Sequence, residues 1–406
     1  GRRGWIPEMP RAALLPSPAF HEGRVFLGGG FASHRFYAFN AYTGELDWSI
    51  AALDGGPTAA IVEDDKIIFN TESCTIFVAD AGTGALLWSR WLGDPLMSQP
   101  AAADGLVFSA YPANGGHLFG AFRLTDGEPV WTTPIAADVI QAPQVGGRDV
   151  YFATMDGTAY RLDTRTGAVR WSRDVGASSA VWVDRDEVML ARRVPGAGAP
   201  REQMVVLRAR DGRLHHEGET HAATYLSGES RDRELARGTA GAWGNVAAGQ
   251  HLGLRNVAAG WAFQGSSPAV ADGRAYFSIA GDVVAREVST ARTVWRREYA
   301  EAAGAQALSP PAVVGSLLLV GTVDGQLIAT DIDTGMAVWA YDVGEPLVFQ
   351  PIVAQGWVYV ATGRGNVIGL ELGDAMLDGW HMWGGNARHA GLVETVGEID
   401  PRLLAS

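Results

Sequence analysis

One pattern recurs along this 406-residue chain and constrains it more than any other feature: an Asp-like residue, a Thr-Gly pair, then tryptophan four residues after the glycine. It reads Asn40-Ala41-Tyr42-Thr43-Gly44 with Trp48, Asp80 and Thr83-Gly84 with Trp88, Asp126-Gly127 with Trp131, and Asp163 and Thr166-Gly167 with Trp171. It returns as Thr290-Ala291 with Trp295, as Asp331 and Thr334-Gly335 with Trp339, and as a longer last copy, Asp374-Ala375 with Trp380. Neighbouring copies stand 40 to 44 residues apart, and a fixed period of that size marks a repeat architecture. The 124 residues between Trp171 and Trp295 hold a degenerate copy, Arg210-Asp211-Gly212-Arg213-Leu214-His215-His216, with His216 at the tryptophan position. The count is eight units.

Each unit spells out four short strands. Apolar runs such as Val150-Tyr151-Phe152-Ala153-Thr154 and Thr158-Ala159-Tyr160-Arg161-Leu162 flank Asp156-Gly157, a strong hairpin signal. A shorter strand precedes them, opened by a polar residue near proline, as in Ser17-Pro18, Gln99-Pro100, Ser309-Pro310 and Gln350-Pro351; proline biases its predecessor to extended backbone. In the Thr-Gly turn the acidic side chain accepts backbone N–H groups and glycine supplies positive φ. The tryptophan then lies on the outer strand.

A four-stranded sheet apolar on both faces must be covered on both, so each unit needs a neighbour on each side. A flat indole with a single N–H donor suits that seam. The expected fold is all-β: one eight-bladed β-propeller with four-stranded antiparallel blades over residues 1–394, and a C-terminal tail over 395–406. Trp48, Trp88, Trp131, Trp171, Trp295, Trp339 and Trp380 are the expected docking residues between blades. The 52 glycines and 14 tryptophans fit tight turns and regular aromatic spacing.

The formal net charge of −13, with Lys66 the only lysine, offers no basic footprint for nucleic acid. The single cysteine, Cys74, sits in an apolar alternating stretch as a small core residue and leaves the redox compartment open. No apolar run is long enough for a transmembrane helix. The chain opens Gly1-Arg2-Arg3-Gly4-Trp5 without methionine, which reads as a processed or truncated form, with a removed signal or lipid anchor in view.

The Asp-x-x-Thr-Gly-x-x-x-Trp pattern, with its preceding Ser/Gln-Pro and Asp-Gly elements, resembles the tryptophan-docking motif of PQQ-like propellers over about residues 17–380. The segment Trp380-His381-Met382-Trp383-Gly384-Gly385-Asn386 through His389-Ala390-Gly391 also resembles one found at chain ends in that family. The family includes quinoprotein dehydrogenases, scaffolds and sensors. Its dehydrogenases imply a PQQ in the central funnel, a calcium ion held by carboxylate and amide oxygens, a catalytic aspartate and, in one type, adjacent disulfide-bonded cysteines. With one cysteine and no assignable Glu/Asn/Asp set, no catalytic, cofactor-binding or metal-binding residue is assigned. The resemblance therefore points to the BamB-like scaffold branch: a non-enzymatic, extracytoplasmic, periplasmic or outer-membrane-associated subunit with protein partners and no cofactor. The alternatives are a PQQ- and calcium-dependent dehydrogenase and the sensor domain of a larger receptor.

Residues 217–262 depart from the repeat and read as an insertion between blades five and six. A long loop carrying Arg231, Arg233, Trp243 and Trp261 is the candidate partner-binding element, since Trp and Arg most often anchor interfaces. His215, His216 and His221 with Glu217 and Glu219 fit no zinc spacing, and strand alternation places His215 and His216 on opposite faces. Ser17, Gln99, Gln141, Ser179, Ser267, Ser309 and Gln350 are expected to ring one channel mouth as a solvated polar position. His381 and His389 belong to a tail packed on the last blade. Glu63-Asp64-Asp65 is a solvated turn, and Gly28-Gly29-Gly30 opens no helix, so it is no dinucleotide fingerprint.

Overall fold

The computed structural model describes residues 3–391, except 8, 10–14, 31–32, 72, 94–97, 114, 195–200, 223–267, 280–281, 300–307 and 348. The described residues form eight four-stranded antiparallel sheets and no helix. Seven sheets are consecutive in sequence, from inner to outer strand; blade one, for instance, is Ala19–His21, Arg24–Gly28, Arg35–Asn40 and Leu46–Ala51. The second and third strands are buried on both faces, as in Lys66–Asn70 and Thr75–Asp80, so they read as continuous apolar runs. Outer strands such as Val169–Asp174 bury little beyond the indole.

The turn before the outer strand works as its residues dictate. Asp80 Oδ1 accepts the Thr83 backbone N–H at 2.8 Å and its hydroxyl at 2.7 Å, and Asp331 treats Thr334 likewise at 2.9 and 2.7 Å. Those threonine bonds hold both carboxyls below their usual range. The glycine of each turn lies under the preceding blade's indole. A Cβ on Gly84 (φ +70°) would come within 2.6 Å of Trp48, and one on Gly212 (φ +67°) within 2.7 Å of Trp171. Five of these indoles send their N–H across the seam to a backbone carbonyl. Trp48 reaches Ala81, Trp88 Leu124, Trp131 Thr164, Trp171 Ala209 and Trp295 Ile332, at 2.8 to 3.3 Å. Trp88, Trp171 and Trp295 are buried, while Trp48, Trp131 and Trp339 are half-buried.

Blade eight corrects the assignment of Trp380. Its three sequence-consecutive strands, Ile352–Ala354, Trp357–Ala361 and Val367–Glu371, are completed by Gly4–Trp5 from the N-terminus. Trp5 pairs with Gly369 at the register position where Trp48 pairs with Ala38, and its N–H donates to Ala41 of blade one at 2.8 Å. The ring is therefore closed by Trp5. Trp380 follows the last strand and lies off the blades, because an outer strand supplied by the N-terminus leaves no place for one downstream of Glu371.

His216 occupies the docking position on the outer strand of blade five, paired with Val206. Opposite it, blade six carries Ala291 at φ +56° where other turns have glycine. A Cβ there leaves no room for an indole, so the small ring and the alanine are complementary. Arg286, buried over Phe277, reaches across this seam: its Nη1 would stand 3.1 Å from a Cβ on Gly218. The outer strand of blade five, Leu214–Ala222, extends past residue 217 into the stretch read as insertion.

Candidate functional site: a channel mouth and the segment that fills it

The inner strand of each blade has one edge paired and one edge facing the central channel. In blade one the two-residue turn Glu22-Gly23 makes His21 and Arg24 a hydrogen-bonded pair, so the Phe20 N–H points away from the sheet into the channel. Val145, Val270 and Val353 hold the same middle position in Gln144–Gly146, Ala269–Ala271 and Ile352–Ala354. Such buried donors need acceptors.

The chain's own residues 380–391 supply them. The Val353 N–H donates to the carbonyl of Trp380 at 2.7 Å, Phe20 to His381 at 2.6 Å, Val145 to Arg388 at 3.2 Å and Val270 to Gly391 at 2.8 Å. The segment thus touches blades eight, one, four and six in turn, on the face carrying the inner hairpin turns. In blade five the equivalent donor, Val183, is met by the Gln144 side-chain carbonyl at 2.9 Å. The segment also packs well beyond the last blade. Trp380 is fully buried in a cluster with Phe20, Ala269, Ala312 and Ile352, and Met382 and Ala387 join one with Ile61, Val62 and Ala102. Arg388 lies 3.5 Å from Asp104, and His381 pairs with Asp378 at 2.5 Å.

Near the end of the segment His389 is 2% exposed, lies with its ring tilted 4.3 Å from that of Trp383, and has no hydrogen-bond partner on either ring nitrogen. Burial alone drives its pKa down to about 3, so the ring is neutral. Gly384, at φ +78°, lets the segment double back: a Cβ there would sit 2.7 Å from the His389 Cα.

The polar residues opening the inner strands are all buried where described, at 8% exposure or less, rather than solvated around the mouth. Ser309 Oγ accepts the Gly321 N–H at 2.8 Å, and Ser179 Oγ that of Ala191 at 2.8 Å, tying inner to second strands. Gln350, which opens blade eight, donates to the Pro311 carbonyl of blade seven at 2.7 Å. Ser267, Arg231, Arg233, Trp243 and Trp261 lie outside the described residues.

His215 and His216 are not on opposite faces. A bulge between Val206 and Leu207 breaks the alternation, and their rings lie 4.0 Å apart, with His215 bonded to Glu187 at 3.1 Å. Among the described residues the one grouping of His, Cys, Asp and Glu with metal-like spacing is His21, Glu22 and Asp65, at the inner hairpin turns of blades one and two. The inner strands are mostly alanine, valine and isoleucine, the buried serines and glutamines stand just before them, and residues 380–391 bond to four of these strands.

This geometry defines a class: a closed, tryptophan-docked eight-bladed propeller of the PQQ-like repeat type. The family profile described as "Outer membrane protein assembly factor BamB" matches residues 1–94, 72–296 and 236–379, and the chain belongs to that family. It is 24% identical over 167 residues to BamB of Yersinia pestis, covering 38% of this chain and 42% of that protein. The match thus spans less than half the length of that relative. It is also 22% identical over 405 residues to the quinohemoprotein alcohol dehydrogenase ADH IIB of Pseudomonas putida, covering 90% of this chain and 55% of that one. Among solved structures, BamB from Moraxella catarrhalis superposes with a TM-score of 0.61 at 19% identity, over 87% of this chain and 93% of that one, which shows the shared fold.

Proposed function

We propose that this chain is a non-enzymatic scaffold that binds other proteins as a subunit of a cell-envelope complex, periplasmic or associated with the outer membrane. The observation that carries the reading is the channel mouth filled by the chain's own residues 380–391, where an enzyme of this fold class would need open space and polar anchors. The BamB family match supports the scaffold branch. The net charge of −13 argues against a nucleic-acid partner.

Blade packing commits both faces of each sheet, so recognition falls to rims and insertions. We assign the main contact to the insertion, through Arg231, Arg233, Trp243 and Trp261. The experiment replaces residues 223–258 with a short Gly-Ser linker, sparing the outer strand of blade five, and compares site-specific photocrosslinking in the native host. Loss of crosslinks to envelope assembly proteins, with circular dichroism unchanged, is the expected result. Undiminished crosslinking by the deleted form would remove the insertion from the account.

The quinohemoprotein alignment over most of the chain keeps one second reading, an alcohol dehydrogenase. It requires uptake of PQQ with calcium.

A further inference from the structure

The eight sheets are complete without residues 380–391. Each has four strands, and the ring is closed by Trp5. The segment is therefore bound to the propeller and not built into a blade. It is held as a folded-back peptide: its own turns join Gly385 to Met382 and His389 to Asn386, its carbonyls accept N–H groups from four inner strands, and its side chains enter apolar clusters made by the blades. His389 adds an independent sign of a made-to-fit interior, a buried imidazole with neither nitrogen satisfied, held by shape against Trp383.

We infer that this channel mouth is a peptide-binding site, occupied in cis by the chain's own segment 380–391. The ligand class is a turn-forming peptide with large apolar side chains at its first, third and fourth positions and a glycine pair after them that lets it fold back. Here these are Trp380, Met382, Trp383 and Gly384-Gly385. The strand edges supply affinity without reading sequence, and the pockets for Trp380 and Met382 supply selectivity. Gly384 is needed because only glycine combines its positive φ with the approach of His389. The inference shares with the scaffold reading the observation that residues 380–391 occupy the channel mouth, but its test is separate from deletion of the insertion.

The test begins with the intact, folded chain. A protease recognition sequence is inserted after Met376, which is 82% exposed between the last strand and the segment. The purified protein is cleaved, and the C-terminal fragment is removed by gel filtration in mild urea. A fluorescently labelled synthetic peptide spanning residues 377–391 is then titrated back. The expected result is retained β-sheet circular dichroism and saturable binding of one peptide per propeller. Binding should be at least tenfold weaker for peptides with Trp380→Ala or Gly384→Ala and absent for a scrambled sequence. Loss of sheet signal when the fragment leaves would show that the segment is structural core and overturn the inference. So would a fragment that cannot be removed without unfolding, an intact nicked propeller that takes up no peptide, or equal binding of the scrambled sequence.

Discussion

The seam between blades five and six allows a quantitative test of how the ring is sealed. At the seams sealed by Trp5, Trp48, Trp88, Trp131, Trp171 and Trp295 a Cβ on the turn glycine would meet the indole at 2.4 to 2.7 Å, far inside contact distance. Ala291 already carries that Cβ, at φ +56°. His216→Trp alone should therefore overpack the seam and cost about 1–3 kcal/mol. Ala291→Gly alone relieves a left-handed alanine, worth roughly 1 kcal/mol, but leaves a small void. Together the two changes rebuild the pair found at Gly212 and Trp171, whose indole N–H bonds a carbonyl at 2.8 Å. The double variant should be more stable than the sum of the single effects by about 1–3 kcal/mol, the range for directly contacting residues. The buried Arg286 side chain, which must move aside, keeps the gain at the lower end. Urea unfolding of the four proteins of the cycle reads the coupling directly. A coupling of zero, or a His216→Trp single variant as stable as the parent, would refute the steric argument.

Other consequences are equally direct. Trp171→Ala, which empties a buried seam and removes one of the two donors to the Ala209 carbonyl, should cost about 3–5 kcal/mol in urea unfolding. Trp5→Ala should lower stability in the same way and raise amide exchange in Val367–Glu371, whose outer neighbour it is, ahead of the other blades. His389 is held neutral by burial at a pKa of about 3, against 6.5 for the free ring. The unfolded chain therefore takes up a proton below about pH 6.5 that the folded chain refuses. The stabilisation is complete above that value and is lost toward pH 3, by up to about 1.4 kcal/mol per pH unit. Comparing wild type with His389→Leu from pH 7 to pH 4 isolates this contribution, and a variant with the wild-type slope would exclude it.

The period was legible in the sequence because each blade repeats one physical solution, a carboxylate-threonine turn with glycine under an indole. The same period misleads at its ends. Trp380 stands 41 residues after Trp339 but lies off the blades, whereas Trp5 stands 43 residues before Trp48 and docks. Spacing gave the signal for Trp5; what hid it was the absence of any preceding turn, since a strand borrowed from the other end of the chain needs none. The position of residues 380–391 was not legible, because their carbonyls bond to N–H groups of four strands distant in sequence, and backbone acceptors leave no mark on residue identity. The His215–His216 pair failed for a local reason: alternation predicts opposite faces only where no bulge intervenes. The polar residues opening the inner strands were placed correctly along the chain but assigned to solvent, when serine hydroxyls there accept second-strand N–H groups.

The claim at the centre of the account is that this propeller binds proteins and does no quinone chemistry. The most direct measurement incubates the purified chain with PQQ and calcium, removes the excess, and records the quinone absorbance band together with alcohol-dependent reduction of an artificial electron acceptor. The account predicts no retained quinone and no reduction above the protein-free control. One quinone retained per chain, with turnover that calcium chelation abolishes, would contradict it.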